Sequence, residues 1–250
     1  MEIISLYSLS TWLIILLASF FIGLGKAGLK GIDMLSVTLM AFVFGSKLST
    51  GIVLPLLCIS DIAAVSYYNR HVKWLHFWKL TPWMIVGILL GIYVGKDMNE
   101  ALFRKIMAGI ILLTIVVILW MEYRKSKKIP TNPFFVVGTG IAAGFTTMLG
   151  NLAGAFSNLY FLAMRLEKND FIGTAAWVFL FMNLFKLPFQ FFIWKNISFQ
   201  SLEIDAVLLP SLAIGFLVGL KLVDKVKDEH YRKLIIILTL LGSLLMLFRH

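Results

Sequence analysis

The chain has 250 residues, of which 60% are hydrophobic and 14% charged, with a mean hydropathy of +0.90. Soluble domains carry about 25% charged residues, so this composition excludes a soluble globular protein and describes an integral membrane one. The net charge of +10 would suit nucleic acid. The basic residues, however, fall in short connections between apolar runs, as the positive-inside bias distributes them.

Uncharged runs of roughly 15 to 20 residues recur and two-residue alternation does not, so the expected spans are helices. In chain order the predicted helices are 11–25, 32–45, 48–69, 77–95, 103–122, 134–149, 151–164, 171–194, 204–222 and 231–248. The first apolar run has no basic segment before it and no small-residue cleavage site after it, so a retained helix is expected. The second and seventh helices are too short to cross about 30 Å of hydrocarbon. Each closes a break rich in glycine. The first break is Gly23-Leu-Gly-Lys-Ala-Gly-Leu-Lys-Gly31, and the second is Gly144-Phe-Thr-Thr-Met-Leu-Gly-Asn-Leu-Ala-Gly154. Between them lies a basic linker, Arg124-Lys-Ser-Lys-Lys-Ile-Pro-Thr-Asn-Pro133.

The two sides of that linker match. Gly23 aligns with Gly144 at an offset of 121 residues and Asp61 with Asn183 at 122; Gly28 aligns with Gly150 and Gly51 with Gly173. Further on, Pro82, Gly87 and Gly91 align with Pro210, Gly215 and Gly219, and Phe103-Arg104-Lys105 with Tyr231-Arg232-Lys233. The expected organisation is a first transmembrane repeat over 1–123, a cytoplasmic linker over 124–133 and a second repeat over 134–250. Each half holds an odd number of apolar elements, so the repeats have inverted topology. With the N-terminus outside and every element crossing, sixteen of the 23 Lys and Arg fall on the inner side and six on the outer; Lys186 lies within a span. The fold class expected is an all-α polytopic membrane protein. It has two inverted repeats, each a glycine-broken, re-entrant or fully crossing helical hairpin followed by three transmembrane helices. Inverted repeats with broken helices at matching positions point to a transport site at mid-membrane.

The first break supplies Gly25, Lys26, Gly28, Lys30 and Gly31 as candidate substrate-binding residues. Glycines let a ligand approach the backbone, free N–H groups at a helix start attract anions, and the lysines add charge. The alternative is a cytoplasmic turn whose lysines only set topology. The spacing is neither a nucleotide-binding P-loop nor a dinucleotide fingerprint. From the second break come Gly150, Asn151, Gly154 and Asn158, with Ser157; the alternative there is polar packing between helices. Thr174 and Asn183 are further site candidates. Asp61 and Lys186 are ionisable residues inside spans and hence functional candidates. A pairing between them is expected if their helices face each other, with Asp61 as the proton-coupling group; the alternative is that Lys186 snorkels outward. Thr174, Ser49 and Thr50 also suit N-caps.

No metal site, cofactor or catalytic triad is expected. His71, His76, His230 and His250 lack metal-ligand spacing, and the lone Cys58 excludes a disulfide framework. Trp74, Trp78, Trp83, Trp120, Trp177 and Trp194 suit an interfacial belt. The expected partners are the lipid bilayer and a small anion, with a homo-oligomer left open and nucleic acid excluded. A membrane-embedded enzyme or a non-transporting assembly partner are the rival readings.

Taken together, the glycine-rich first break and its second-half counterpart resemble the sulfite exporter TauE/SafE family of membrane permeases. So do Ser49-Thr50-Gly51 with Leu54-Pro55, Asp61, Gly87-Ile-Leu-Leu-Gly91, Gly173-Thr174-Ala175, Asn183 with Lys186 and Pro188, and Pro210 with Gly215 and Gly219. The resemblance implies export of a small sulfur-containing anion or organosulfonate across the inner membrane. This chain departs from the family's commoner glycine run followed by proline. Lys26 and Lys30 stand among its glycines, and Asp33 and Ala155 stand near the proline position.

Overall fold

A computed structural model describes residues 7–103, 105–106, 109–110, 112–113, 116 and 132–247. Most of the helix expected over 103–122, with Trp120, and most of the linker over 124–133 lie outside the described residues. Each of the other expected helices is present with its ends shifted by up to a few residues, and no strand occurs among the described residues.

Among the described residues nine α-helices follow in order: α1 Leu9–Lys26, α2 Asp33–Phe44, α3 Ser46–Tyr68, α4 Trp74–Gly95, α5 Pro133–Gly150, α6 Ala153–Ala163, α7 Lys168–Phe192, α8 Phe199–Asp224 and α9 Asp228–Leu247. Their starts are set locally. Ser8 accepts from Thr11 N at 3.3 Å, Asn132 caps α5 ahead of Pro133, and Ser198 with Ser201 forms a reciprocal capping box. Among the described residues six helices are long and apolar enough to cross a membrane: α1, α3 (with the short turn after it), α4, α5, α7 and α8. At 1.5 Å per residue the 12 residues of α2 and the 11 of α6 reach only about 18 and 16 Å.

Burial is inverted relative to a soluble protein. Leu13, Phe42, Leu89, Phe192 and Leu217 are exposed, while Lys30, Asp61 and Lys186 are at most 2% exposed. An apolar exterior around a charged interior is stable only in lipid. Trp74 and Trp78 are exposed, as a belt requires. Trp194 is not; it is buried edge-on to Phe103, under Gly95, and is a packing residue.

Three helix pairs hold the molecule. The most extensive are α4 with α5 and α1 with α8, followed by α3 with α7. Close approach depends on glycine. A Cβ on Gly144 would collide with the backbone of Met84, and one on Gly215 with the backbone of Phe20. Thus the first helix on each side of the linker packs on a late helix from the other side. α3 and α7 run antiparallel: Gly51 faces Asn196, Asp61 meets Asn183, and Gly173 faces Tyr68.

Gly138 tests the close-packing role, because it lies on the same helix with nothing within 4 Å of its notional Cβ. Gly144→Ala is expected to cost about 1–3 kcal/mol through overpacking against backbone. Gly138→Ala is expected to be neutral or to add up to about 1 kcal/mol of helix propensity. Thermal unfolding of both variants in one detergent checks this; equal melting temperatures would refute it.

Candidate functional site

The end of α1 and the turn joining it to α2 are buried: Lys26 and Lys30 are 5% and 2% exposed. Gly28 and Gly31 take φ values of +127° and +102°, which β-carbon-bearing residues rarely adopt. Tyrosines hold the turn from two sides. Tyr68 Oη donates to Ala27 O at 2.9 Å and Tyr231 Oη to Gly28 O at 2.6 Å. These bonds satisfy carbonyls that a helix end leaves open. Asp33 Oδ1 accepts from Gly31 N at 2.8 Å, placing a carboxylate in the first turn of α2 where the helix dipole favours it.

The charges inside are paired differently from the expectation. Lys26 Nζ donates to Asp61 Oδ1 at 2.5 Å, and Asn183 Nδ2 donates to Asp61 Oδ2 at 2.6 Å. Both carboxylate oxygens are therefore taken, and the expected Asp61–Lys186 pair does not form. Lys186 lies almost one turn beyond Asn183 and points to the end of α5. It donates to Thr147 O and Thr147 Oγ1 at 3.0 Å each and to Asn151 Oδ1 at 2.5 Å. It is fully buried and does not snorkel. Lys30 stands apart. Its Nζ lies 5.4 Å from the centroid of the Phe179 ring, which Lys26 Nζ also approaches at 5.1 Å. Among the described residues no carboxylate lies within 4.0 Å of Lys30 Nζ.

The second break mirrors the first in different chemistry. Asn151 closes α5 in the left-handed region at φ 56°, and its Nδ2 donates to Thr50 O at 3.0 Å. Gln190 Nε2 donates to Met148 O at 3.3 Å and takes a bond on Oε1 from Asn196 Nδ2 at 3.1 Å. In the sequence Gln190 and Met148 align with Tyr68 and Ala27 at offsets of 122 and 121 residues, and Tyr68 and Ala27 make the similar bond at the first turn. The two breaks touch at Gly154, whose notional Cβ would stand 3.0 Å from Asp33 Oδ2 and 3.5 Å from Asn158 Nδ2. Asn158 is buried one turn along the same face, with neither amide atom bonded.

A small cavity lies between these groups. Its walls include Lys26, Asp33, Ser36, Thr147, Asn151, Gly154, Phe179 and Asn183. The space open to a water-sized sphere is about 20 Å³, room for little more than one water. In this conformation the space is too small for an anion of several heavy atoms.

The other candidates fall elsewhere. Gly25 is buried against Ile32 and Asp33 within the turn. A Cβ on Gly28 would meet Ile172 and Val223, and one on Gly31 would meet Thr239, so both glycines face neighbouring helices instead of the cavity. Gly150 is buried in the last turn of α5, beside Asn151. Thr174 Oγ1 accepts from Lys73 N at 2.9 Å, outside the cavity lining. Ser157 Oγ turns back to Ala153 O at 2.7 Å. Lys73 itself lies outside the spans; a hydrogen bond from its ammonium to the Asp170 carboxylate raises its pKa above the ordinary lysine value. Sequence reasoning missed Thr147, Phe179, Gln190 and Asn196. Thr147 had a signal, since it is the counterpart of Lys26 at the repeat offset; Phe179 had none, being one of 21 phenylalanines.

These features define a multi-pass helical membrane protein with a charged, closed site where two helix breaks meet. Its sequence matches the family of the Sulfite exporter TauE/SafE over residues 13–246, nearly the whole chain, and the chain belongs to that family, a family of membrane transporters. No curated protein and no solved structure matches it.

Breaking a buried ion pair from one side strands the other charge and costs about 3–5 kcal/mol. Asp61→Asn and Lys26→Gln are each expected to destabilise on that scale. The double variant is expected to cost clearly less than the sum. Additive losses in denaturant or thermal titration would show that the pair is not coupled.

Proposed function

We propose that this chain is a secondary transporter for a small anion, a sulfur-containing oxyanion or organosulfonate, working by alternating access across the inner membrane. The observation that carries the reading is the charge around Phe179. Two lysine side chains share that ring, Asp61 pairs with one of them, and among the described residues Lys30 has no carboxylate within 4.0 Å. A buried uncompensated cation costs several kcal/mol, and a bound anion removes that cost.

Several observations support inverted repeats. α3 and α7 are antiparallel, and the aligned pair Asp61 and Asn183 bond to each other. Each lies fifteen residues beyond the first residue of its helix, so the contact falls midway between the two helix starts. The glycine crossings of α1 with α8 and of α4 with α5 exchange partners in the same sense. The short α2 and α6, and the burial of Lys26 and Lys30, favour re-entrant hairpins over full crossings. In this arrangement residues 1–123 and 134–250 are the two repeats, and the basic linker 124–133 is cytoplasmic.

The mechanism follows from the closed cavity. Entry of an anion requires the two breaks to separate at Asp33 and Gly154. Lys30 and Lys26, with amide donors from Asn151, Asn158 and Asn183, then surround the anion, and Lys186 holds Asn151 in place. Rocking of one repeat on the other along the α3–α7 contact exposes the site to the other face. Protonation of Asp61 releases Lys26 from its ion pair, which gives the site a route for coupling to a proton gradient.

Flux into proteoliposomes, measured with sulfite, thiosulfate and a simple sulfonate, tests this. Lys30→Met is expected to lower flux at least tenfold while leaving the melting temperature unchanged or raised, because it removes a buried unpaired charge. Normal flux of every transported anion in that variant would refute the site. Asp61→Asn, where it folds, is expected to flatten the pH dependence of flux; an unaltered profile would remove Asp61 from coupling.

A further inference from the structure

One buried acid takes no part in the site described above. Asp205 lies inside the spanning helix α8 and is 3% exposed. Among the described residues neither of its carboxylate oxygens has a hydrogen-bond partner, and no ion pair includes it. Asp61, also buried within a span, has both oxygens bonded.

Ordinary structural roles do not account for Asp205. The start of α8 is already capped by Ser198 and Ser201. Asp205 is the seventh residue of the helix, beyond the first turn in which the helix dipole favours an acid. It shares a face with Leu208, Leu212 and Phe216, the buried stripe of α8. Leu208 O accepts from Ser19 Oγ of α1 at 3.0 Å, and Ile204, Leu208 and Leu212 pack in one apolar cluster with Trp12, Ile15 and Leu56. In the sequence Asp205 aligns with Phe77 at the same offset of 128 residues that matches Pro210 with Pro82, and Phe77 is also buried. An apolar side chain therefore meets the packing demand at the aligned place.

The helices packed on α8 are α1 and α3, and their ionisable groups are engaged elsewhere. The one on α1 is Lys26, at its far end and paired with Asp61. On α3, Lys47 Nζ donates to Lys96 O and Met98 O, Tyr68 donates to Ala27 O, Tyr67 is exposed, and Cys58 packs with Leu54 and Ile197. Tyr7, ahead of α1, stands edge-on to Trp12 and Phe44. Glu203, the nearest acid on α8 itself, is exposed. A carboxylate with neither counter-charge nor hydrogen bond is not kept ionised in an apolar interior; it takes up a proton. A metal cation would need several oxygen ligands, and among the described residues no group of three His, Cys, Asp or Glu is placed to hold one.

We propose that Asp205 is a proton-binding site. It is a neutral carboxylic acid in this conformation, and it exchanges its proton with water only when the protein moves so as to wet this part of α8. One O–H bond forms at Asp205 with a proton taken from water, and the same bond breaks when the proton is returned. The proton site stands on the surroundings of Asp205 alone; its use as a second coupling group beside Asp61 rests on the transport reading.

The test uses the full chain in detergent. Infrared difference spectra of the wild type against Asp205→Asn at neutral pH are expected to show the loss of one protonated-carboxyl carbonyl band. Glu203→Gln is expected to keep that band. Asp205→Leu is expected to lose it and to melt at or above the wild-type temperature, so the result does not depend on how asparagine packs. Melting is also followed with pH. A carboxyl that is protonated when folded and ionised when unfolded contributes stability at low pH that is lost as pH rises. The wild type is therefore expected to lose melting temperature relative to Asp205→Asn between about pH 5 and pH 8. A band that survives in both Asp205 variants, or a wild type that holds level with or gains on Asp205→Asn as pH rises, would overturn the proton site. In proteoliposomes Asp205→Asn is expected to lose part of the acceleration that a proton gradient gives to anion flux; unaltered acceleration would remove Asp205 from coupling. Absence of wild-type flux would overturn the coupling role together with the transport reading, while the infrared band still decides the proton site.

Discussion

Charge in a low-dielectric interior must be answered by charge or by several hydrogen bonds, and most of this architecture follows from how two buried lysines, Lys26 and Lys186, meet that demand. Lys26 is answered by Asp61, and Asp61 in turn by Asn183. Lys186 is answered by three oxygens from the end of α5. Because Asp61 lies on α3, Asn183 on α7 and Lys26 on α1, satisfying one carboxylate fixes three helices relative to each other. The hydrocarbon around the molecule supplies no water to substitute for any of these partners. That makes the contact a structural requirement as well as a chemical one.

The two helix breaks solve one problem with different side chains. A helix that ends inside a membrane leaves carbonyls without donors, each costing several kcal/mol if unmet. At the first break tyrosine hydroxyls from α3 and α9 supply donors. At the second, Gln190 and Lys186 of α7 supply them. Tyr68 and Gln190 align at an offset of 122 residues in the sequence, and each donates to a carbonyl at its break, one by a hydroxyl and the other by an amide. The charge has moved as well. On the first side the lysine is in the break and its acceptor is on the third helix; on the second side the lysine is on the third helix and its acceptor, Thr147, is in the break.

Helix positions were legible in the sequence because apolar runs and glycine breaks are local signals, and nearly all described helices fall within a few residues of expectation. The meeting of the two breaks was legible too, since matched glycines at a near-constant offset imply related positions. Pairing was not. Asp61 and Lys186 looked like natural partners because both are ionisable and both lie in facing spans. Side-chain reach decided otherwise: Lys26 occupies the Asp61 oxygen, and a turn of helix carries Lys186 to Thr147. Gly28 and Gly31 were read as ligand contacts, yet their open faces are filled by Ile172, Val223 and Thr239. A glycine run cannot say whether the space it creates is for a ligand or for a neighbouring helix.

That distinction bears on how the site opens. Glycines packed on backbone, such as Gly144 on Met84 and Gly215 on Phe20, leave no slack for one helix to slide without separating from its partner. Motion is easier where the contact is small and polar, as at Asp33 and Gly154, where no backbone ladder or large apolar area must be broken. The pairs α1–α8 and α4–α5 each join a helix from one side of the linker to a helix from the other. In the proposed cycle the contact that must give is α3 on α7, where Asn183 donates its hydrogen bond to Asp61. The polar link nearest the cavity is thereby also the one placed to sense whether the cavity is filled.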